Sequence, residues 1–151
     1  MIGILRKKYV LLFCCFAFLG LVYISQQFNY LEIMAHSLGI ESQHWHPYTF
    51  FIFNKFFRFF LNDSTMVVVI WLLWENKSYV KLALGIEVLG LLVLLPLYFI
   101  LKLNMEGDSE ISSPLLSFIH RLIINPTLLI MLIPALYYQE RLAKIEAEKR
   151  K

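Results

Sequence analysis

The sequence predicts an all-α integral membrane protein: a four-helix transmembrane bundle with both termini cytoplasmic and its second span preceded by a Phe-rich interfacial helix. Three observations predict it. Of 151 residues, 59% are hydrophobic and only 17% are charged, against roughly 25% charge in an ordinary soluble domain. Apolar runs close to the ~20 residues a membrane helix needs recur along the chain. Lysine and arginine fall on alternate sides of those runs, as the positive-inside rule requires. The same composition excludes other classes. Five Pro and six Gly without low-complexity tracts argue against collagen-like or disordered chains. A net charge of +3, confined mostly to the two ends, does not indicate nucleic-acid binding. Two adjacent cysteines, Cys14 and Cys15, support neither a disulfide framework nor a zinc site.

The first span, residues 9–24, follows Arg6-Lys7-Lys8 directly. It resembles a secretory signal, but Tyr23 occupies a position where cleavage wants a small residue, so it reads as an uncleaved anchor. Residues 25–47 carry no Lys or Arg and hold His36, His44 and His46. They read as a loop or short interfacial helix on the opposite side. The second span is harder. After Asp63-Ser64 the apolar stretch to Trp74 is too short to cross alone. An aromatic-rich helix over residues 48–60 therefore lies in or enters the interface. It continues into the span at residues 56–74, either straight through or with a break at Asn62-Asp63-Ser64. Asp63 or Ser64 suits as N-cap of the restarted helix.

The third span, residues 82–103, is interrupted by Glu87 and Pro96. The fourth, residues 115–138, carries His120, Arg121, Asn125, Pro126 and Pro134. Residues 139–151 form a charged cytoplasmic tail that extends the fourth helix. Arg6, Lys7 and Lys8, then Lys77 and Lys81, then the tail form the cytoplasmic face. The opposite loops lack Lys and Arg or hold Glu106, Asp108 and Glu110. Every loop agrees with this orientation.

An ionisable group at membrane depth costs ~2.5–3.5 kcal/mol on insertion scales, so each needs a reason. Asn54, Arg58, Asn62 and Thr65 share one helical stripe, and Ser117, His120, Arg121 and Asn125 share an arc of the fourth span. Both belong to the outer half. Arg58, Asn62, Asp63, His120, Arg121 and Asn125 are accordingly the candidate site, for docking a partner or an anionic group. The plainer alternative has Arg58 and Lys55 reaching headgroups while Arg121 pairs with Asp63. Pro126 frees the Leu122 carbonyl and Pro96 that of Leu92, or each merely kinks its helix. Glu87 reaches Lys81 or a neighbouring helix; a proton relay would need further acids on its path, and the sequence places none there.

No catalytic motif occurs. A Cys–His–Arg transpeptidase is excluded by depth, because Cys14 and Cys15 lie in the inner half and His120-Arg121 in the outer. The cysteines read as small buried hydrophobes. His44-Trp45-His46 is a weak metal signal, so neither metal nor cofactor is expected. The sequons at Asn62 and Asn76 abut the bilayer or face the cytoplasm and are discounted.

The stretches RFFLND from Arg58 to Asp63, LLPLYFIL ending the third span, and FIHRLIINPTLLIMLIPALYYQ from Phe118 to Gln139 resemble the exosortase F system-associated membrane proteins. The resemblance covers about residues 50–140. It implies a bacterial inner membrane and an exosortase as partner. Exosortases are multi-pass, Cys-dependent transpeptidases that process proteins with C-terminal sorting signals. The resemblance supplies no catalytic residues for this chain. The expectation is a non-enzymatic accessory of such a sorting system, in contact with membrane lipids. The rival is a small enzyme or carrier for a lipid or polyprenyl phosphate, with Arg58 and Arg121 holding the phosphate. A channel ranks below both, because one polar cluster lines no continuous pore.

Overall fold

A computed structural model describes residues 2–40, 45–107 and 113–149. Of the residues singled out above, His44, Asp108, Glu110, Arg150 and Lys151 lie outside that set. The described residues contain no strand. In order they form α1 (Ile2–Ile24), a short turn at Ser25–Gln27, α2 (Tyr30–Ser37), α3 (Pro47–Trp74), α4 (Lys77–Leu89), a widened turn at Gly90–Leu94, α5 (Leu95–Met105), α6 (Pro114–Ile124) and α7 (Thr127–Lys149).

Three helical stretches are long and apolar enough to cross a membrane: Arg6–Gln27, Pro47–Trp74 and Lys77–Met105. The α6–α7 pair makes a fourth if counted as one span, although it is bent by 58°. The surface agrees. Phe13, Leu92 and Phe118 are 74%, 67% and 65% exposed, together with many other large apolar side chains. A water-soluble monomer rarely shows such a surface, whereas hydrocarbon accepts it.

Of the two readings of Asn62-Asp63-Ser64, the one without a break holds. α3 runs unbroken for 28 residues, about 42 Å at the helical rise, so residues 48–63 belong to the same helix as the span. Asn, Asp and Ser have modest helix propensity, each within ~0.7 kcal/mol of Ala, and tertiary contacts override that. Here the contacts are visible. Asn62 bonds a neighbouring helix, Ser64 reaches α4, and Thr65 Oγ1 donates to its own turn at Leu61 O, 2.6 Å away. None caps a restart. The true start is His46, whose Nδ1 accepts from Tyr48 N, followed by Pro47 in the first turn. The end is Glu75, in the left-handed conformation at φ 55°.

Pro96 does not break its helix either. The turn just before it, Gly90–Leu94, is widened to π geometry, which absorbs the missing N–H. At Gly90 this turn presses on α3, where an added Cβ would sit 3.0 Å from Phe59 Cζ. Pro126 does more than kink. α6 ends at Ile124, Asn125 is extended, and α7 begins at Thr127. From there α7 passes through Pro134 and carries the charged tail as helix to Lys149, as expected of that segment.

The core is two apolar clusters. One gathers Met66, Val67, Val69, Ile70, Ala83, Leu129 and Leu136, with Leu12, Cys15 and Leu19 of α1 packed on it. The other joins Phe59, Leu95, Tyr98, Ile123 and Ile124. Polar or irregular residues fall between the two clusters. They are Asn62 and Asp63 on α3, Glu87 on α4, and Asn125-Pro126-Thr127 between α6 and α7. One end of the molecule is tied by Lys8 Nζ to Glu75 Oε1 at 3.1 Å and by Trp74 Nε1 to Glu140 Oε2 at 2.8 Å.

Candidate functional site: a polar layer and its cationic rim

The interruption between α6 and α7 sets the geometry. A helix that stops leaves its last carbonyls without intrahelical partners. In an apolar interior each unpaired one is expensive. Thr127 Oγ1 donates to Arg121 O at 3.1 Å, and Asn62 Nδ2 crosses from α3 to Ile124 O at 3.1 Å. The backbone acceptors filled across the break are thus those of Arg121 and Ile124, whereas the proline-displacement argument pointed to Leu122. Proline ended the helix outright, so all of its last four carbonyls, Arg121 to Ile124, lose intrahelical partners, and side chains reach those of Arg121 and Ile124.

Asn62 and Arg58 lie one turn apart on the buried arc of α3, both 5% exposed. Among the described residues, Arg58 Nε has no hydrogen-bond partner and Arg58 is in no ion pair. Its electrostatic neighbours are the hydroxyls of Tyr30 and Tyr23. Arg58 is therefore sealed within the protein and does not reach for headgroups. Asp63 is also 5% exposed, with Oδ1 unbonded. The Arg121–Asp63 ion pair does not form: Asp63 faces α4, where Glu87 acts on it, and Arg121 is exposed.

His120 is half-buried, its Nδ1 2.9 Å from Tyr98 Oη. Lys55, Arg58, Lys102 and Arg121 all act on it electrostatically, so it sits at the centre of a cationic field. Tyr98 and Lys102 were not among the residues singled out by sequence, yet each is only 2% exposed. The signal was there: Tyr98, Lys102 and Glu106 recur every fourth residue and fall on one helix face. Lys102 Nζ donates to Glu106 Oε2 at 2.6 Å, and Glu106 Oε1 accepts from Ser113 N at 2.6 Å. Ser113 is in turn the N-cap of α6. Glu106 thus joins the end of α5 to the start of α6 and seats His120 against Tyr98. These two bonds hold the Glu106 carboxyl down at about 2.

The sequence-selected residues separate into two directions. Arg58, Asn62 and Asp63 face inward, and His120 and Asn125 are half-buried. Arg121 points outward on the stripe of α6 that includes Leu115 and Phe118, 64% and 65% exposed. Asn54, from the same α3 stripe as Arg58, has a separate task. Its Oδ1 accepts from Leu31 N and its Nδ2 donates to Asn29 Oδ1 at 2.7 Å, closing the first turn of α2. The shallow surface hollows lie elsewhere, around His46, Thr49 and Phe53. Among the described residues no three His, Cys, Asp or Glu side chains gather as metal ligands. Cys15 packs in the cluster around Met66 and His120 beside the one around Phe59, so the two do not meet. The chain matches no family model, no curated protein and no solved structure.

Proposed function

We propose that this protein is a non-enzymatic, multi-pass accessory of an exosortase-type sorting system in the bacterial inner membrane. It is a four-helix transmembrane bundle with both termini in the cytoplasm, and it docks its partner through the outer half of α6. The observation that carries the reading is the outward direction of Arg121. A guanidinium on the lipid-facing side of a helix is expensive unless headgroups or a second protein receive it. Arg121 stands in line with Leu115 and Phe118, the combination of a cationic anchor with an aromatic and an aliphatic contact that interfaces favour. The family resemblance through Phe118 to Gln139 covers this same segment and supplies the partner. The buried half of the cluster, Arg58 with Asn62 and the α6–α7 break, gives the docking helix a fixed end.

The rival reading, a carrier for a lipid phosphate, asks Arg58 and Arg121 to close on one ligand. One is buried and the other exposed, which favours the accessory reading. The test is detergent co-purification with an exosortase co-expressed with this protein. Arg121→Leu should reduce recovery of the partner at least tenfold while leaving the protein's own yield and unfolding midpoint unchanged. Undiminished recovery and sorting in that variant would remove α6 as the docking element.

A further inference from the structure

α3 and α4 bring the Glu87 carboxyl to Ser64, next to the buried Asp63, in the polar layer. Ser64 Oγ donates to Glu87 Oε1 at 3.0 Å, which draws the Glu87 carboxyl of α4 to the level of Ser64 on α3. Asp63, the residue before Ser64, is 5% exposed, its Oδ1 has no hydrogen-bond partner, and Glu87 is the charged group that acts on it. Glu87 accordingly does not pair with Lys81, and the further acid that sequence did not place on its path is Asp63.

Charges on the surrounding elements are committed elsewhere. On α3 itself, Arg58 is acted on by Tyr30 and Tyr23, and Lys55 lies over the Phe51 ring at 5.7 Å. On α5, Lys102 is bound to Glu106. On α6, Arg121 is exposed. On α1, Lys8 is tied to Glu75 at the far end, and on α7 Glu140 is tied to Lys144 and Trp74. Lys77 and Lys81 on α4 lie roughly 15 and 9 Å from Glu87 along the helix axis.

Two carboxylates facing each other in a low-dielectric interior cannot both stay ionised without a counter-ion. An isolated buried charge there is prohibitively expensive, and the group takes up a proton instead. We propose that Asp63 and Glu87 form an intramembrane proton-binding site that holds one proton at neutral pH. The proton is taken from water and sits on Asp63, the more buried of the two carboxyls. Ser64 supplies the second hydrogen bond to Glu87. Asn62, adjacent to Asp63, is bonded to the end of α6, so the site lies directly against the α6–α7 break.

The site is independent of the partner-docking reading, and its test uses the purified full-length protein in lipid vesicles. Infrared spectroscopy should show a protonated-carboxyl C=O band at pH 7 that shifts in D2O. The other acids among the described residues, Glu32, Glu75, Glu106, Glu140, Glu146 and Glu148, are exposed or only partly buried. Asp63→Asn should abolish the band, and the Asp63→Asn/Glu87→Gln double variant should lack it across the whole neutral range. Absence of the band from the unmodified protein at pH 7 overturns the proposal, whether or not any variant folds. So does a band that survives in the double variant. A band-free protein whose unfolding midpoint rises with added Na+ holds a metal cation there, and the proposal fails in that case too.

Discussion

Asn62 on α3 donates its side-chain amide to the carbonyl oxygen of Ile124 across 3.1 Å, and this bond spans the point at which α6 ends. Asn62 is 5% exposed and Ile124 fully buried, so water does not stand in for either partner. Replacing Asn62 with Leu leaves a buried carbonyl unsatisfied, which costs about 1–3 kcal/mol. The α6–α7 pair should loosen with it. The expected outcome is a lower unfolding midpoint in detergent and faster proteolysis near Asn125. An unchanged midpoint would mean that the break is held without Asn62.

Glu106 gives a pH-dependent prediction. Its carboxyl is held down from the ordinary 4.5 to about 2 by its bond from Lys102 and then by that from Ser113 N. A depressed carboxyl contributes stability that is full above its unfolded value and is lost as pH falls through the folded one. The α5–α6 junction should therefore hold at pH 6 and weaken progressively from about pH 4.5 toward pH 2. Glu106→Gln should lower stability already at pH 6 and flatten the acid limb of the profile. A variant with the same slope as the parent protein between pH 5 and pH 3 would contradict the assignment.

Gly90 meets α3 where only hydrogen fits. A methyl group there would stand 3.0 Å from Phe59 Cζ and 3.2 Å from Cε2, and Phe59 is 2% exposed with little room to withdraw. Gly90→Val should destabilise by about 1–3 kcal/mol through overpacking. Phe59→Leu added to it should recover part of that loss, so that the two effects are not additive. Strict additivity in a four-variant cycle would show that the two side chains do not compete for space.

Much of the fold could be read from sequence because hydrophobicity along a membrane helix is a local property. The spans, the non-Lys/Arg segment after α1 and the helical tail follow from composition and charge alone. Failures arose where distant residues act on one another. Asn62-Asp63-Ser64 looked like a helix start because Asp and Ser are good caps. Glu87 and Ile124, far away in the chain, claim Ser64 and Asn62 instead. The candidate site was read as one stripe meeting another, which fits the inward Arg58 and Asn62. Arg121 lies on the exposed side of α6, and the arc counted through Asn125 is not helical there, because α6 stops at Ile124. Tyr98 and Lys102 were legible by their spacing but masked by the apolar run around them.

The last prediction concerns the orientation of the chain. Lys8 bonded to Glu75 and Trp74 bonded to Glu140 place the start of α1, the end of α3 and the middle of α7 at one end of the molecule. That end carries the basic residues Arg6, Lys7, Lys8, Lys77 and Lys81, so the proposed orientation, by the positive-inside rule, has it facing the cytoplasm. In that orientation Ser37, exposed on α2 after the first candidate span, would lie on the opposite side. With Cys14 and Cys15 replaced by Ala, Ser37→Cys should react with a membrane-impermeant maleimide in spheroplasts. Glu146→Cys, exposed on α7, should react only after the membrane is opened. Equal labelling of the two before permeabilisation would place α2 and the tail on one side, and α1 would then not cross.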